Sequence, residues 1–242
     1  MPHGYPDWGI AVPTTTIYPV LDVGELAARL KSIVTFDRRG NVISLDDFED
    51  TLMRWNSNQT MNGDRLFQTA EAARSGSFSV KMITPNAAST DTYLFRFLPL
   101  PVLSKIGLEF SYAMYLYIQY IYIVLAFGDS DGQYDFRLRY DRANRTMAYL
   151  NSGGTYTDLS GTPSHQLLYH NWNTIKFVAD YENKKYVRAL LNNFSWSLAD
   201  IAPKFNSGVY SPALYVEARI TNKSIGDHYI YLDDFILTQN EP

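Results

Sequence analysis

The sequence predicts an all-β protein, an antiparallel β-sandwich preceded by an extended N-terminal arm with one short helix. The chain has 242 residues, 46% of them hydrophobic and 19% charged, so it can bury one large core. It contains 19 Tyr and 13 Phe, residues that favour strands. From residue 42 onward, short apolar runs alternate with turn residues at the spacing of a sandwich, not of βαβ units.

Residues 1–41 are predicted to form the arm. Four prolines and the run Thr14–Thr16 favour extended chain. Asp22 can cap a helix over about residues 22–32. The arm is too short to bury its own apolar side chains, so we expect it to pack on its own sandwich or on a neighbouring copy. The residues assigned to assembly are Trp8, Ile10, Ile17, Tyr18, Leu26 and Leu30.

Residues 42–242 are predicted to form the sandwich, with turns marked by Gly, Asn, Asp and Ser. The candidate strands are Val42–Phe48, Phe78–Thr84, Thr92–Leu98, Lys105–Met114, Gln119–Phe127, Tyr134–Asp141, Thr146–Leu150, Asn173–Tyr181, Lys185–Leu190, Ala213–Thr221 and His228–Thr238.

The tyrosine-rich run contains a change of parity. Tyr115 and Tyr117 have odd residue numbers, whereas Tyr120 and Tyr122 have even ones. Because side chains alternate between the two faces of a strand, the change near Gln119 predicts a bulge or a tight reversal.

Four segments of the sequence form a recognisable series: Leu45-Asp-Asp-Phe-Glu-Asp50 with Trp55, Ala73-Arg-Ser-Gly-Ser-Phe-Ser-Val-Lys-Met82, Trp172–Asp180 with Tyr186–Leu190, and Tyr229-Ile-Tyr-Leu-Asp-Asp-Phe-Ile-Leu237. In this order they resemble the jelly-roll sandwiches of carbohydrate-binding modules and concanavalin A-like, laminin-G-like lectins. The resemblance spans roughly residues 42–238 and implies a jelly roll in which the first and last strands are neighbours.

The resemblance also implies a structural calcium ion. Carboxylates near the first and last strands often hold calcium in such modules, and the matching residues are Asp47, Glu49 and Asp234. The alternative is that these acids face solvent or cap strand ends.

A glycan site is implied by the same resemblance. Such modules bind sugars with aromatic side chains on a sheet face or at loop tips. The candidates are Tyr115, Tyr117, Tyr120, Tyr122 and Trp196. The alternative for the tyrosines is packing within the sheets.

Composition excludes several classes of site. There is no cysteine, and so no disulfide or thiolate metal site. The net charge of −4 and the lack of a long Lys/Arg cluster argue against nucleic acid as a partner. The apolar stretch 106–127 contains Glu109, Gln119 and five tyrosines, so it predicts buried strands and not a membrane span. No cleavable signal peptide is visible at the N-terminus, and the expected location is extracellular or on a virion.

The sequence favours a non-enzymatic structural protein that self-assembles in many copies through its arm, as in a phage virion, a phage tail or an extracellular filament. No catalytic residue is assigned, because the paired acids of glycosidases and the common nucleophile motifs are not found. Two alternatives remain: a carbohydrate-binding lectin acting as an adhesin, and a polysaccharide-degrading enzyme on the same fold.

Overall fold

The computed structural model describes residues 39–59, 65–84, 87, 89–114, 118–161, 171–223, 226 and 228–242. The predicted arm and its helix lie outside this part of the chain, apart from residues 39–41. The described residues form two sheets of eight strands, in which all the strand pairs are antiparallel, with one 3-10 turn at Leu52–Arg54.

The first sheet has the order β13-β12-β11-β6-β16-β4-β3, with β1 also paired to β16. Its strands are β1 (Asn41–Asp46), β3 (Leu66–Thr69), β4 (Ser79–Ile83), β6 (Lys105–Met114), β11 (Trp172–Asp180), β12 (Lys185–Leu191), β13 (Phe194–Ser197) and β16 (Tyr229–Gln239). Because β1 pairs with β16, the first and last strands are neighbours, as the jelly-roll resemblance implies.

The second sheet has the order β10-β9-β8-β7-β15-β5-β2, with β14 also paired to β8. Its strands are β2 (Asn56–Gln59), β5 (Asp91–Pro99), β7 (Ile118–Gly128), β8 (Gly132–Asp141), β9 (Thr146–Leu150), β10 (Tyr156–Asp158), β14 (Lys204–Ser207) and β15 (Ala213–Asn222). The prediction of an all-β jelly-roll sandwich is confirmed.

The predicted bulge lies at Gln119. In the pairing of β7 with β15, Tyr120 is opposite Thr221 but Ile118 is opposite Asn222, so β7 has one extra residue there. Of the tyrosines that define the change of parity, Tyr115 and Tyr117 lie outside the described residues.

The core lies between the sheets and is rich in aromatic rings. One cluster joins Trp55 to Phe235 and Phe110, and the Trp55 ring N–H donates to Asp46 Oδ2 at 2.9 Å. A second cluster stacks Tyr181 on Phe127, with ring centroids 4.3 Å apart. Tyrosine packing within the sheets therefore accounts for part of the tyrosine content, since Tyr181 and three other tyrosines are almost completely buried.

Two buried tyrosines differ in their hydroxyl partners, which gives a matched pair of substitutions. The Tyr186 hydroxyl donates to Leu150 O at 3.0 Å and accepts from the Arg137 N–H at 2.8 Å, whereas the Tyr181 hydroxyl has no hydrogen-bond partner within the described chain. We expect Tyr186→Phe to lower the free energy of unfolding by about 1–3 kcal/mol and Tyr181→Phe to raise it by up to about 1 kcal/mol. Urea denaturation measures both changes, and equal losses in the two variants would contradict the assignment.

No helix among the described residues is long and apolar enough to cross a membrane.

Candidate functional site

The outer face of the second sheet carries a row of tyrosine and arginine side chains. Neighbouring residues on β7, β8 and β15 point into the core, so Tyr122, Arg139 and Arg219 point away from it. Tyr122 is in register with Arg139 on one side and with Arg219 on the other, and Arg219 is in register with Tyr93 of β5. Tyr156 of β10 lies beside Tyr122, with ring centroids 5.8 Å apart. We call these five residues the Tyr–Arg row.

The guanidinium groups of the row lie over aromatic rings. Arg139 Cζ is 4.3 Å from the centroid of the Tyr156 ring and 4.7 Å from that of Tyr120. Arg219 Cζ is 4.2 Å from the Tyr122 centroid and 5.3 Å from the Tyr93 centroid. Cation–π contacts of this kind fix the orientation of a guanidinium without using its N–H donors.

Acids lie beside the row as partners for two of the arginines on this face. Arg219 Nε is 3.5 Å from Glu217 Oε1, and its Nη1 is 3.7 Å from Asp91 Oδ2. Arg137, next to the row on β8, pairs with Asp135. Arg139 makes no ion pair within the described part of the chain, and its buried Nε has no hydrogen-bond partner there.

Burial changes the ionisation of several groups on this face. It raises the pKa of Tyr122 to about 12 and raises the pKa of Tyr156, with the nearby arginines opposing both shifts. Both phenols therefore remain neutral hydroxyl groups at physiological pH. Burial also raises the pKa of Glu217, against the effect of Arg219. The row thus offers aromatic faces, hydroxyl groups and N–H donors side by side.

The structure brings together some of the predicted glycan-binding residues. Tyr120 and Tyr122 lie on the outer face of the second sheet, with ring centroids 5.8 Å apart. Trp196 lies on β13 of the first sheet, where it is 7% exposed and donates its ring N–H to Ser160 O. Its remaining surface lines a cleft of about 560 Å³ beside β12 and β13. Tyr115 and Tyr117 lie outside the described residues.

Sequence reasoning missed the arginines and the remaining tyrosines of the row. A pattern in the sequence does point to them, because Arg137 and Arg139 alternate with core residues on β8, as do Glu217 and Arg219 on β15. Placing them beside Tyr122 required the pairing order β8-β7-β15-β5, which the sequence alone does not provide.

The predicted calcium ligand Asp234 lies in a bulge of β16, with a positive φ of 50°. Its Oδ2 accepts from Arg74 Nη1 at 2.6 Å, and its Oδ1 accepts from Ser75 Oγ at 2.6 Å. The preceding Asp233 accepts the backbone N–H groups of the same two residues through Oδ2. The two aspartates therefore fasten the loop before β4 to the last strand.

The other two predicted calcium ligands, Asp47 and Glu49, form hydrogen bonds near the same loop. Glu49 Oε1 accepts the backbone N–H groups of Ser77 and Phe78, each at 2.7 Å, and Asp47 Oδ1 accepts the N–H of Glu49 at 3.3 Å. A Cβ added at Gly76, where φ is +60°, would lie 2.3 Å from Glu49 Oε1, which explains the glycine of the Arg-Ser-Gly-Ser segment.

As arranged, Asp47, Glu49 and Asp234 do not form a cation cage. Among the described residues, no group of three or more His, Cys, Asp or Glu side chains is placed to hold a metal ion. Calcium at this edge stays a prediction from the resemblance, and a bound ion would have to displace the Arg74 guanidinium from Asp234.

The assembly residues Trp8, Ile10, Ile17, Tyr18, Leu26 and Leu30 all lie outside the described residues. Their role in assembly therefore stays a prediction.

Several solved structures share the fold. The cellulose-induced protein Cip1 has a TM-score of 0.54 and 12% identity, over 81% of this chain and 96% of its own. A carbohydrate esterase from the Shiga toxin-encoding bacteriophage phi24B has a TM-score of 0.52 and 13% identity, over 82% of this chain and 100% of its own. A sialidase has a TM-score of 0.50 and 8% identity, over 83% of this chain and 19% of its own.

No protein-family model and no curated protein matches the sequence. At identities of 8–13%, the likeness to solved structures shows the fold alone. The chain shares its jelly-roll sandwich fold with these three solved structures.

Proposed function

We propose that the chain is a carbohydrate-binding protein whose glycan lies on the outer face of the second sheet, across the Tyr–Arg row. The observation that carries this proposal is the register of the row, which places three tyrosines and two arginines on one sheet face, outside the core. Aromatic rings stack on the apolar faces of sugars, while phenol and guanidinium groups hydrogen-bond to sugar oxygens. The names of the phage esterase and the sialidase, which refer to carbohydrates, agree with this proposal.

The test is a glycan array followed by calorimetric titration with the best ligand. We expect Tyr122→Leu, which removes the central ring of the row but keeps an apolar side chain, to weaken binding at least about tenfold, or about 1.4 kcal/mol. Tyr229→Leu is the matched control, because Tyr229 is a half-buried tyrosine of the first sheet that packs on Lys81. Equal losses in both variants, or no glycan bound by the wild type, would contradict the proposal.

Binding is proposed to occur without cleavage of the glycan. The acids that contact the row or lie beside it are Glu217, which accepts from the Tyr215 hydroxyl, and Asp91, which accepts from the Tyr93 hydroxyl. Neither is arranged as an acid beside a free nucleophile. Incubation with the bound polysaccharide should release no reducing ends and no unsaturated products, and release of either would favour the enzyme alternative.

Assembly in many copies is a second candidate function, favoured by apolar side chains at one end of the sandwich. Val209 is 93% exposed, Val102 is 74% exposed and Phe97 is 60% exposed. The ends of β5, β7 and β15 meet there, since Ala213 pairs with both Pro99 and Gly128. An exposed apolar cluster on a sandwich is typical of a contact between proteins.

The assembly proposal is tested by the mass of the full chain in solution. We expect the wild-type chain to form oligomers or filaments. We expect Val209→Asp to dissociate them, because the contact would bury the new charge. A protein starting at Asn41 tests whether the arm is also required. A full chain that is monomeric at every concentration would contradict assembly and leave the glycan proposal unaffected.

A further inference from the structure

The three arginines on the outer face of the second sheet differ in their partners. Arg137 has Asp135, and Arg219 has Glu217 and Asp91. Arg139 has no carboxylate partner among the described residues, although Arg137, two residues before it on β8, has one.

Arg139 is held by aromatic rings. It lies over the Tyr156 and Tyr120 rings at 4.3 and 4.7 Å, and its buried Nε has no hydrogen-bond partner within the described chain. The two rings restrict the orientation of the guanidinium plane, and neither accepts a conventional hydrogen bond in its place. The buried Nε is out of reach of a ligand, but the side chain as a whole is only half-buried, and its accessible Nη donors can receive an acceptor from outside the chain.

The chemistry of a guanidinium restricts that acceptor. Its planar N–H donors match the two oxygens of a carboxylate and form a bidentate pair, whereas a neutral sugar hydroxyl supplies one oxygen and no charge. A positive charge without a nearby counter-charge also attracts an anion. On a face whose neighbouring positions are tyrosine rings, the carboxylate would come from a sugar unit stacked on those rings.

We propose that the Tyr–Arg row binds an acidic polysaccharide and that Arg139 recognises the carboxylate of a uronic acid unit. This inference rests on the proposed glycan-binding function and names the class of glycan. Tyr122 and Tyr156, which flank Arg139, stack on the sugar rings. Arg219 remains paired with its own acids and positions the Tyr122 ring.

The test uses the full chain and pairs of ligands that differ only in charge. The ligands are oligomers of galacturonate, oligomers of mannuronate and hyaluronan fragments, each measured beside its methyl ester by calorimetric titration. We expect at least one acid to bind about tenfold or more tightly than its ester, a preference that weakens as salt is raised.

Arg139→Gln should abolish the preference by weakening binding of the acid about tenfold more than binding of the ester. Arg139→Lys retains the charge without the planar donors and should retain only part of the preference. Arg145→Gln, an exposed position on the β8–β9 turn, is the control for net charge and should retain all of it. Circular dichroism and the melting temperature show whether each variant folds.

The outcomes separate this inference from the proposed function. Acid and ester bound equally well, each weakened by Tyr122→Leu, would overturn the acidic class and support glycan binding. A preference that survives in Arg139→Gln would overturn the assignment of Arg139. The absence of binding to any acid, ester or neutral glycan would overturn both.

Discussion

Replacing Glu241 with alanine is expected to lower the free energy of unfolding by about 3–5 kcal/mol, although the residue lies after the last strand. Glu241 is completely buried and binds two cations: Lys176 Nζ is 2.8 Å from its Oε1, and Arg188 pairs with its Oε2. Thr238 Oγ1 also donates to Oε1, at 2.5 Å. The substitution removes the carboxylate from a buried lysine and a mostly buried arginine, and the loss of a counter-charge is costly for a charge held away from water.

The control for this prediction is an exposed ion pair. Lys185 Nζ is 2.9 Å from Asp200 Oδ1, but the Asp200 side chain is 86% exposed. Asp200→Asn should cost less than about 1 kcal/mol, because solvent screens exposed pairs. Urea denaturation measures the loss in free energy of unfolding for both variants. Similar losses would show that burial does not determine how much the Glu241 ion pairs stabilise the protein.

The second large effect is a dependence of stability on pH that arises at Asp233. Burial and the adjacent charge of Asp234 raise the pKa of Asp233 from 3.8 to about 7, against the effect of its backbone N–H donors. A raised pKa means that the folded state holds the proton more tightly than the unfolded state. The contribution of this proton to the free energy of unfolding is therefore fully present below about pH 4 and is lost as the pH rises through 7. The whole contribution is at most about 4 kcal/mol.

Asp233→Asn isolates this contribution, because asparagine does not titrate. The amide offers fewer hydrogen-bond acceptors than the carboxylate, so the variant should have a lower free energy of unfolding than the wild type at pH 4. The free energy of unfolding of the variant minus that of the wild type should nevertheless increase between pH 4 and pH 8 when measured in EDTA. A difference that is independent of pH would show that the pKa of Asp233 is not raised.

Bound calcium would keep Asp233 ionised, so adding calcium at pH 8 also tests the predicted metal site.

The fold could be predicted from the sequence because alternation and turn residues are local properties. The candidate strands Lys105–Met114 and Thr146–Leu150 match β6 and β9 residue for residue. The strands that were missed have only three or four residues: β2, β3, β10, β13 and β14. Their pattern is too short to show a period, and β2, with the sequence Asn-Ser-Asn-Gln, contains no apolar residue.

The candidate site could be predicted only in part, since it depends on contacts between distant segments. Residue type alone is enough to name Tyr120 and Tyr122 as candidates for binding a glycan. Arg139 and Arg219 are far from each other along the chain, and only the pairing of β8 and β15 with β7 places both beside Tyr122. Trp196 was chosen by residue type, and its burial depends on the packing of the core around β13.

The most direct test of glycan binding on the second sheet is chemical-shift mapping of the backbone amides of the full chain during titration with the best ligand from the array. A glycan bound across the Tyr–Arg row should produce shifts centred on β7, β8 and β15 around Tyr122, Arg139 and Arg219. Shifts confined to the first sheet, such as the cleft beside Trp196, would contradict it.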